Sequence, residues 1–255
     1  MTIKSATFNG VATIEIARPE KKNALTQAMY SAMAEALIAA NSDTLVRAVL
    51  ITGQPGCFTS GNDIEDFMQT PPGQDGKQPP VARFMHALLQ CEKPVVVAVT
   101  GAAVGIGTTM LLHCDLVYVS DEARLAMPFV SLGLVPEFAS SLLIPALLGP
   151  VKATEKLMLG EPFSGSDAVE CGIANAVLPA GEVVNHARRM AERFNALPPS
   201  AVRETKRLMR AAQRAQVLQV MQAEGELFAQ RLRSPEAMEA FQAFFQKRKP
   251  DFSKF

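Results

Sequence analysis

The chain has 255 residues, 48% apolar and 20% charged, so it can bury one large core and has neither the composition of a disordered chain nor that of a fibrous one. Lys+Arg and Asp+Glu balance at 25 each, which leaves no broad basic field to hold a nucleic-acid backbone or an anionic membrane surface. The four cysteines (Cys57, Cys91, Cys114 and Cys171) show no CxxC spacing and the three histidines (His86, His113 and His186) stand apart, which argues against a disulfide framework or a metal site.

The first ten residues carry neither a secretory apolar core nor the Arg- and Ser-rich composition of a transit peptide, so the expected compartment is the reducing cytoplasm. Asn9-Gly10 lies between two β-type runs, and the alternation from Val11 to Ile16 predicts a hairpin with one buried face. Thr26 suits the cap of the Ala- and Met-rich helix that follows. The apolar runs 48–52 and 95–99, closed by Gly53 and Gly101, predict buried strands, each leading through a glycine-containing loop into a helix. The uncharged stretch 94–114 is long enough to span a bilayer, but Thr100, Gly101, Gly105, Gly107, Thr108, Thr109 and His113 interrupt it, so no membrane insertion is expected. Pro71-Pro72-Gly73-Gln74-Asp75-Gly76 with Pro79-Pro80 predicts a surface loop.

Residues 115–120 predict one more strand. Beyond them the pattern is helical, punctuated by Gly149-Pro150, Gly160-Glu161-Pro162 and Leu197-Pro198-Pro199. The expected organisation is an α/β core over residues 1–195 and a helical region over 196–255 of the same structural unit. Ser234-Pro235 opens a last helix with Met238, Phe241, Phe244 and Phe245 on one stripe, read as a core face or a subunit contact.

Three segments could carry chemistry. Residues 101–107 run from a strand into an apolar helix, where free N–H groups could meet an oxyanion, although such turns are also ordinary features of α/β cores. The spacing fits neither a dinucleotide fingerprint nor a phosphate loop nor a nucleophile elbow. Residues 57–64 form a second such turn, and two turns facing one pocket would suit an enolate; spacing does not say that they meet. Glu137, the only carboxylate between Glu122 and Glu155, follows Pro136. It reads either as a first-turn helix charge or as a general base desolvated among Val135, Phe138 and Phe129.

Together these segments resemble the crotonase, or enoyl-CoA hydratase/isomerase, superfamily. The resemblance runs from Arg18-Pro19-Glu20-Lys21-Lys22-Asn23-Ala24-Leu25 to Val177-Leu178-Pro179. Phe58-Thr59-Ser60-Gly61-Asn62-Asp63-Ile64, Ala103-Val104-Gly105-Ile106 and Leu134-Val135-Pro136-Glu137-Phe138-Ala139-Ser140-Ser141 resemble the peroxisomal-type 3,2-trans-enoyl-CoA isomerases within it.

The resemblance implies a spiral of ββα units with a helical C-terminal trimerisation region, and a homotrimer or a dimer of trimers. It implies an oxyanion hole from the N–H groups of Asn62 and Ile106. Lys21 and Lys22 match residues that approach the CoA phosphates, Ser60, Gly61, Asp63 and Ile64 match the turn along the CoA moiety, and Gly105, before Ile106, is a further substrate-binding position. Lys247, Arg248 and Lys249 are either further phosphate contacts or a solvated tail. Where the hydratases carry two glutamates, this chain has Thr109 and, after Pro128, Phe129.

Glu137 matches the single acid of the isomerases. The implied activity moves a 3-enoyl-CoA double bond to the 2-position in unsaturated fatty acid degradation. The partner is an acyl-CoA thioester, with no separate cofactor because CoA belongs to the substrate. A hydratase-like enzyme and a non-catalytic acyl-CoA-binding protein are the alternatives. Ser253-Lys254-Phe255 is similar to the peroxisomal S-K-L address but ends in Phe, and is read as chance.

Overall fold

The computed structural model describes residues 2–69 and 78–255. Asn9 and Gly10 form the two-residue turn between β1 (Ile3–Phe8) and β2 (Val11–Ile16), with φ of 45° and 70°, the left-handed pair a tight hairpin needs. Thr26 caps α1 (Gln27–Ser42), accepting the Met29 N–H at 3.3 Å, and the helix buries Met29, Tyr30, Met33 and Leu37.

β3 (Ala48–Thr52) and β5 (Val95–Val99) are parallel neighbours in the middle of a six-stranded sheet. Every residue in both is buried, because the sheet is covered on two sides. Val49, Ile51, Val95, Val97 and Val99 face the main core. Leu50, Val96 and Ala98 pack on Val183, Ala187 and Ala191 of α8 (Val183–Glu192). β7 (Leu116–Ser120) and β10 (Ala176–Leu178) complete the order β1-β2-β3-β5-β7-β10.

A second sheet, absent from the sequence reading, has the order β4 (Cys57–Thr59), β6 (Ala102–Val104), β8 (Arg124–Ala126), β9 (Phe163–Ser164). Its strands are two or three residues long, too short to leave a periodic pattern. Consecutive strands alternate between the two sheets, β3 to β4, β5 to β6 and β7 to β8, and the chain then enters a helix. The repeated step is the crotonase-type ββα spiral.

The remaining helices are α2 (Ile64–Gln69), α3 (Pro80–Gln90), α4 (Ile106–Thr109), α5 (Ser140–Leu148), α6 (Pro150–Leu157), α7 (Gly165–Glu170), α9 (Pro199–Arg231) and α10 (Pro235–Phe245). The expected loop at Pro71 to Gly76 lies outside the described residues, and Pro79 and Pro80 begin α3. The helix expected after Gly107 is only four residues, continued by a 3-10 turn, Met110–His113.

α9 and α10 are not a detached tail. Phe228, Ala237 and Phe241 belong to the main core, with Met221 and Leu232 packed against it. The aromatic stripe expected on the last helix divides: Phe241 is buried, whereas Met238, Phe244 and Phe245 are exposed. α10 turns its small residues Ala237, Ala240 and Ala243 inward, which lets it approach closely. A Cβ on Gly133 would lie 2.6 Å from the Ala237 nitrogen.

The tightest contact joins the small sheet to the strand turns. Gly101 has φ +76°, and a Cβ there would lie 2.0 Å from the Gly56 carbonyl oxygen. Gly101→Ala should therefore destabilise the protein by about 2–4 kcal/mol, measured by urea unfolding.

Candidate active site

The two glycine-bearing turns do meet. β4 and β6 run parallel, pairing Cys57 with Ala102 and Thr59 with Ala103, so the turns leave adjacent strand ends. A Cβ on Gly61 would lie 3.0 Å from the Val104 oxygen, and one on Gly107 would lie 2.5 Å from Thr59 Cγ2. Asn62 bridges Leu25 in parallel: the Leu25 N–H donates to Gly61 O (2.8 Å) and the Asp63 N–H to Leu25 O (2.9 Å). The Asn62 N–H consequently points to the opposite side. Ile106 opens α4 behind Gly105, at φ +57°, and its N–H precedes the helical ladder. Among the described residues neither amide meets a protein acceptor.

Side chains fasten this backbone. The buried Asn23 donates from Nδ2 to Cys57 O (2.8 Å) and Phe58 O (3.2 Å), and Thr59 Oγ1 donates to Asn23 O (2.7 Å). Arg18 Nη1 binds Asp63 Oδ2 at 2.6 Å. Burial pushes the Asp63 carboxyl up, but the Arg18 hydrogen bond, the amides of Asp66 and Glu65 and the Arg18 charge outweigh it and hold the group low. The Asp63 side chain is thus engaged within the fold. Buried Tyr30 hydrogen-bonds the Asn62 side chain, fixing the residue whose amide is free.

Lys22 sits beside the first turn, its carbonyl accepting the Ser60 N–H at 3.1 Å. Its neighbour Lys21 pairs loosely with Glu65 of α2 at 3.6 Å, both exposed. Lys247 and Lys249 are exposed at the chain's other end, and Arg248 there is bound by Glu239. No described cluster of three or more His, Cys, Asp or Glu is arranged to hold a metal.

Glu137 is not in a helix. α5 begins at Ser140, and Phe138 and Ala139 lie between with φ of 57° and 56°. Glu137 is therefore not the first-turn charge that its place after Pro136 suggested; two left-handed residues interrupt the chain before α5. The residue is 7% exposed, and its carboxyl Oε1 has no hydrogen-bond partner. Burial, aided by the charge of Glu224, raises its pKa to about 8. The Glu137 charge in turn is one cause, after burial, of the raised Tyr30 pKa, which places the carboxyl within electrostatic reach of the Asn62 turn.

The backbone around Glu137, by contrast, is tied at several points. Ser140 N and Oγ both donate to Glu137 O, at 3.1 and 2.6 Å. His113 donates from Nε2 to Phe138 O at 2.7 Å, and its ring stacks on Phe138 with centroids 3.8 Å apart. Burial lowers the His113 pKa to about 4, so a neutral imidazole makes this bond. Phe129 packs beside Gly105, and Thr109 is wholly buried with an unpartnered Oγ1. Open backbone amides together with a desolvated carboxyl are the groups that can stabilise an enolate and move a proton.

Residues 6–254 match the family model described as Enoyl-CoA hydratase/isomerase. The chain belongs to the enoyl-CoA hydratase/isomerase family. A solved structure of Pseudomonas aeruginosa OdaA is 57% identical, covers 95% of this chain and 98% of its own, and superposes with a TM-score of 0.92. The human protein named Enoyl-CoA delta isomerase 2 is 33% identical over 97% of this chain. The chain spans only 64% of that relative's length. A Pongo abelii protein named "Enoyl-CoA hydratase, mitochondrial" is 28% identical over 96% of this chain and 84% of its own. Isomerases and hydratases are thus both among the relatives, and the site must distinguish them.

Several residues of this enoyl-CoA hydratase/isomerase site gave no sequence signal. Tyr30 looks like one more apolar position of α1, and His113 like an isolated histidine. Glu224 lies 85 residues from the Ala139 amide it binds. Asn23 was visible only inside the family motif.

The raised Glu137 pKa makes a stability prediction with a definite sign. The fold favours the protonated acid, so that stability is complete below the unfolded value of 4.5 and is lost as pH rises to about 8. Glu137→Gln escapes this loss. Its stability advantage over wild type should grow by roughly 1 kcal/mol per pH unit across that window, measured by urea unfolding, and level off above it.

Proposed function

We propose that the protein is an enoyl-CoA isomerase that converts 3-enoyl-CoA to 2-enoyl-CoA with Glu137 as its single proton carrier. The observation that carries this reading is the buried Glu137 carboxyl with an unpartnered oxygen, whose charge reaches the Tyr30 that holds Asn62, one of two residues with an open backbone amide. Thr109 and Phe129, at the positions that match the two hydratase glutamates, offer no second carboxylate to activate a water.

In the proposed reaction the Glu137 carboxylate removes a C2 proton. The electron pair left on C2 delocalises onto the thioester oxygen on one side and through the C3–C4 double bond to C4 on the other, giving a dienolate whose oxygen rests on the Asn62 and Ile106 N–H groups. The protonated Glu137 then delivers that proton to C4. The electrons return to form the C2–C3 double bond, so no proton or electron is gained or lost and no separate cofactor is needed. Leu125, Met127, Phe129 and Leu134 are buried, and an uncharged run of this kind lining the site would keep the carried proton from exchanging with water. Lys21, Lys22 and the Ser60–Ile64 turn would border the CoA moiety. Exposed Leu208 and Met209 on α9 suit the subunit packing of a trimer.

The purified protein should form conjugated 2-enoyl thioester from a 3-enoyl-CoA, with little 3-hydroxyacyl-CoA. Its kcat/KM should rise with pH through about 8 as Glu137 ionises. Glu137→Gln should lose roughly 10²–10⁴-fold in kcat. Hydroxyacyl product formed at a comparable rate would instead assign a hydratase, and acyl-CoA binding without turnover would assign a binding protein.

A further inference from the structure

We propose that Glu224, on α9, is a positioning residue for the reaction, an anionic cap that holds the turn from which Glu137 projects. This rests on the isomerase reading above for the reaction, but its geometry stands independently. α5 starts from Ala139, which has a left-handed backbone and no side-chain cap. The cap comes from another helix. Glu224 Oε2 accepts the Ala139 N–H at 2.6 Å, and Oε1 accepts the Ser141 N–H at 3.0 Å and the Ser141 hydroxyl. Two consecutive non-glycine residues in the left-handed region need outside support, and a charged acceptor gives more of it than a neutral one.

The burial of Glu224 is expensive unless its charge is used. It is 8% exposed, on a helix face that packs Val217, Val220 and Met221 around Ala139, Leu142 and Leu143. Burial holds the Glu224 carboxyl above its ordinary range, and the three donors of Ser141 and Ala139 offset that push in part, whereas Glu137 Oε1 has no donor. The two carboxyls are therefore unequal: both are pushed up by burial, but only Glu224 has donors that stabilise its anion, and its charge adds to the burial that keeps the proton on Glu137. The other titratable groups around the turn are Tyr30 of α1, with Asp66 of α2 acting on it, and His113 of the 3-10 turn, with Arg210 of α9 acting on it. Burial and Glu224 are the causes of the raised Glu137 pKa.

Glu224→Gln removes the charge and one acceptor at nearly constant volume. A lost anchor alone would slow turnover; the charge predicts in addition a shifted titration. We expect kcat to fall roughly tenfold to a hundredfold with KM little changed. The acid limb of kcat/KM should move below the wild-type value of about 8. The Glu137 carboxyl, followed by infrared difference titration and assigned by its absence in Glu137→Gln, should shift the same way, and this readout needs no turnover. Glu224→Asp, which keeps the charge but withdraws it, should lower kcat and leave the limb closer to wild type.

A folded Glu224→Gln with wild-type kcat and an unmoved Glu137 titration overturns the proposal. If that variant does not fold, Ser141→Ala is decisive. By removing one donor it raises the Glu224 pKa, weakening the anion, so it should lower kcat and shift the Glu137 titration downward by a smaller amount; wild-type values for both overturn the proposal. If the wild-type protein turns over no 3-enoyl-CoA while the Glu137 titration still moves in Glu224→Gln, the isomerase reading fails and the coupling of the two carboxyls is supported.

Discussion

The close approach of β4 to β6 is the constraint on which the rest of the site depends. A two-sheet spiral can set the amides of two separate turns side by side only if the strands leading into them pair, and here they pair with almost no space between turns. The missing side chains at Gly61, Gly101 and Gly107 are the space this contact uses. With the strands locked, the Asn62 amide is turned away from its Leu25 bridge and the Ile106 amide stands free ahead of α4. Donors built from backbone cannot swing aside as side chains can, so the geometry needs no rearrangement when charge develops on an oxygen between them.

At Glu137 the protein accepts a cost that most folds avoid. Glu137 is buried without a hydrogen-bond partner for Oε1, and the penalty appears as a raised pKa. The energetic logic runs opposite to that of Asp63, a buried carboxylate whose charge is met by Arg18 and backbone amides. The same type of group, at similar exposure, is held ionised in one place and left proton-hungry in the other. Only the second arrangement leaves an oxygen free for chemistry, and the stability lost there is the expected companion of function.

The C-terminal helices take part in this arrangement. Arg231 donates to Gly133 O at 3.0 Å, α10 lies against Gly133 through Ala237, and Glu224 holds the amides of Ala139 and Ser141. The segment between Gly133 and Ser141 is thereby clamped by α9 and α10 on one side. On the other, His113 holds the Phe138 carbonyl. The backbone that carries Glu137 is tied at the Glu137 and Phe138 carbonyls and the Ala139 amide, while the carboxyl oxygen Oε1 has no partner.

The strands with long apolar runs, the Asn9-Gly10 hairpin and the Thr26 cap were legible because each is a local pattern: alternation, a turn dipeptide, a side-chain acceptor before a helix. Glu137, Asn62 and Ile106 were candidates through family motifs, which specify residues but not distances. The second sheet was not, because strands of two or three residues have no period of their own and exist only through their neighbours. The aromatic stripe of the last helix misled for a related reason: hydrophobic spacing marks a face, but the small residues Ala237, Ala240 and Ala243 set how closely α10 could pack. Sequence by itself thus determined the α/β class, the family and the chemical groups at the site. Tertiary structure alone decided that the two turns touch, that Glu137 precedes its helix instead of opening it, and that a carboxylate 85 residues away caps the turn. These are facts about which surfaces are excluded from water together, and burial and long-range pairing are properties of the folded chain, not of any stretch of it.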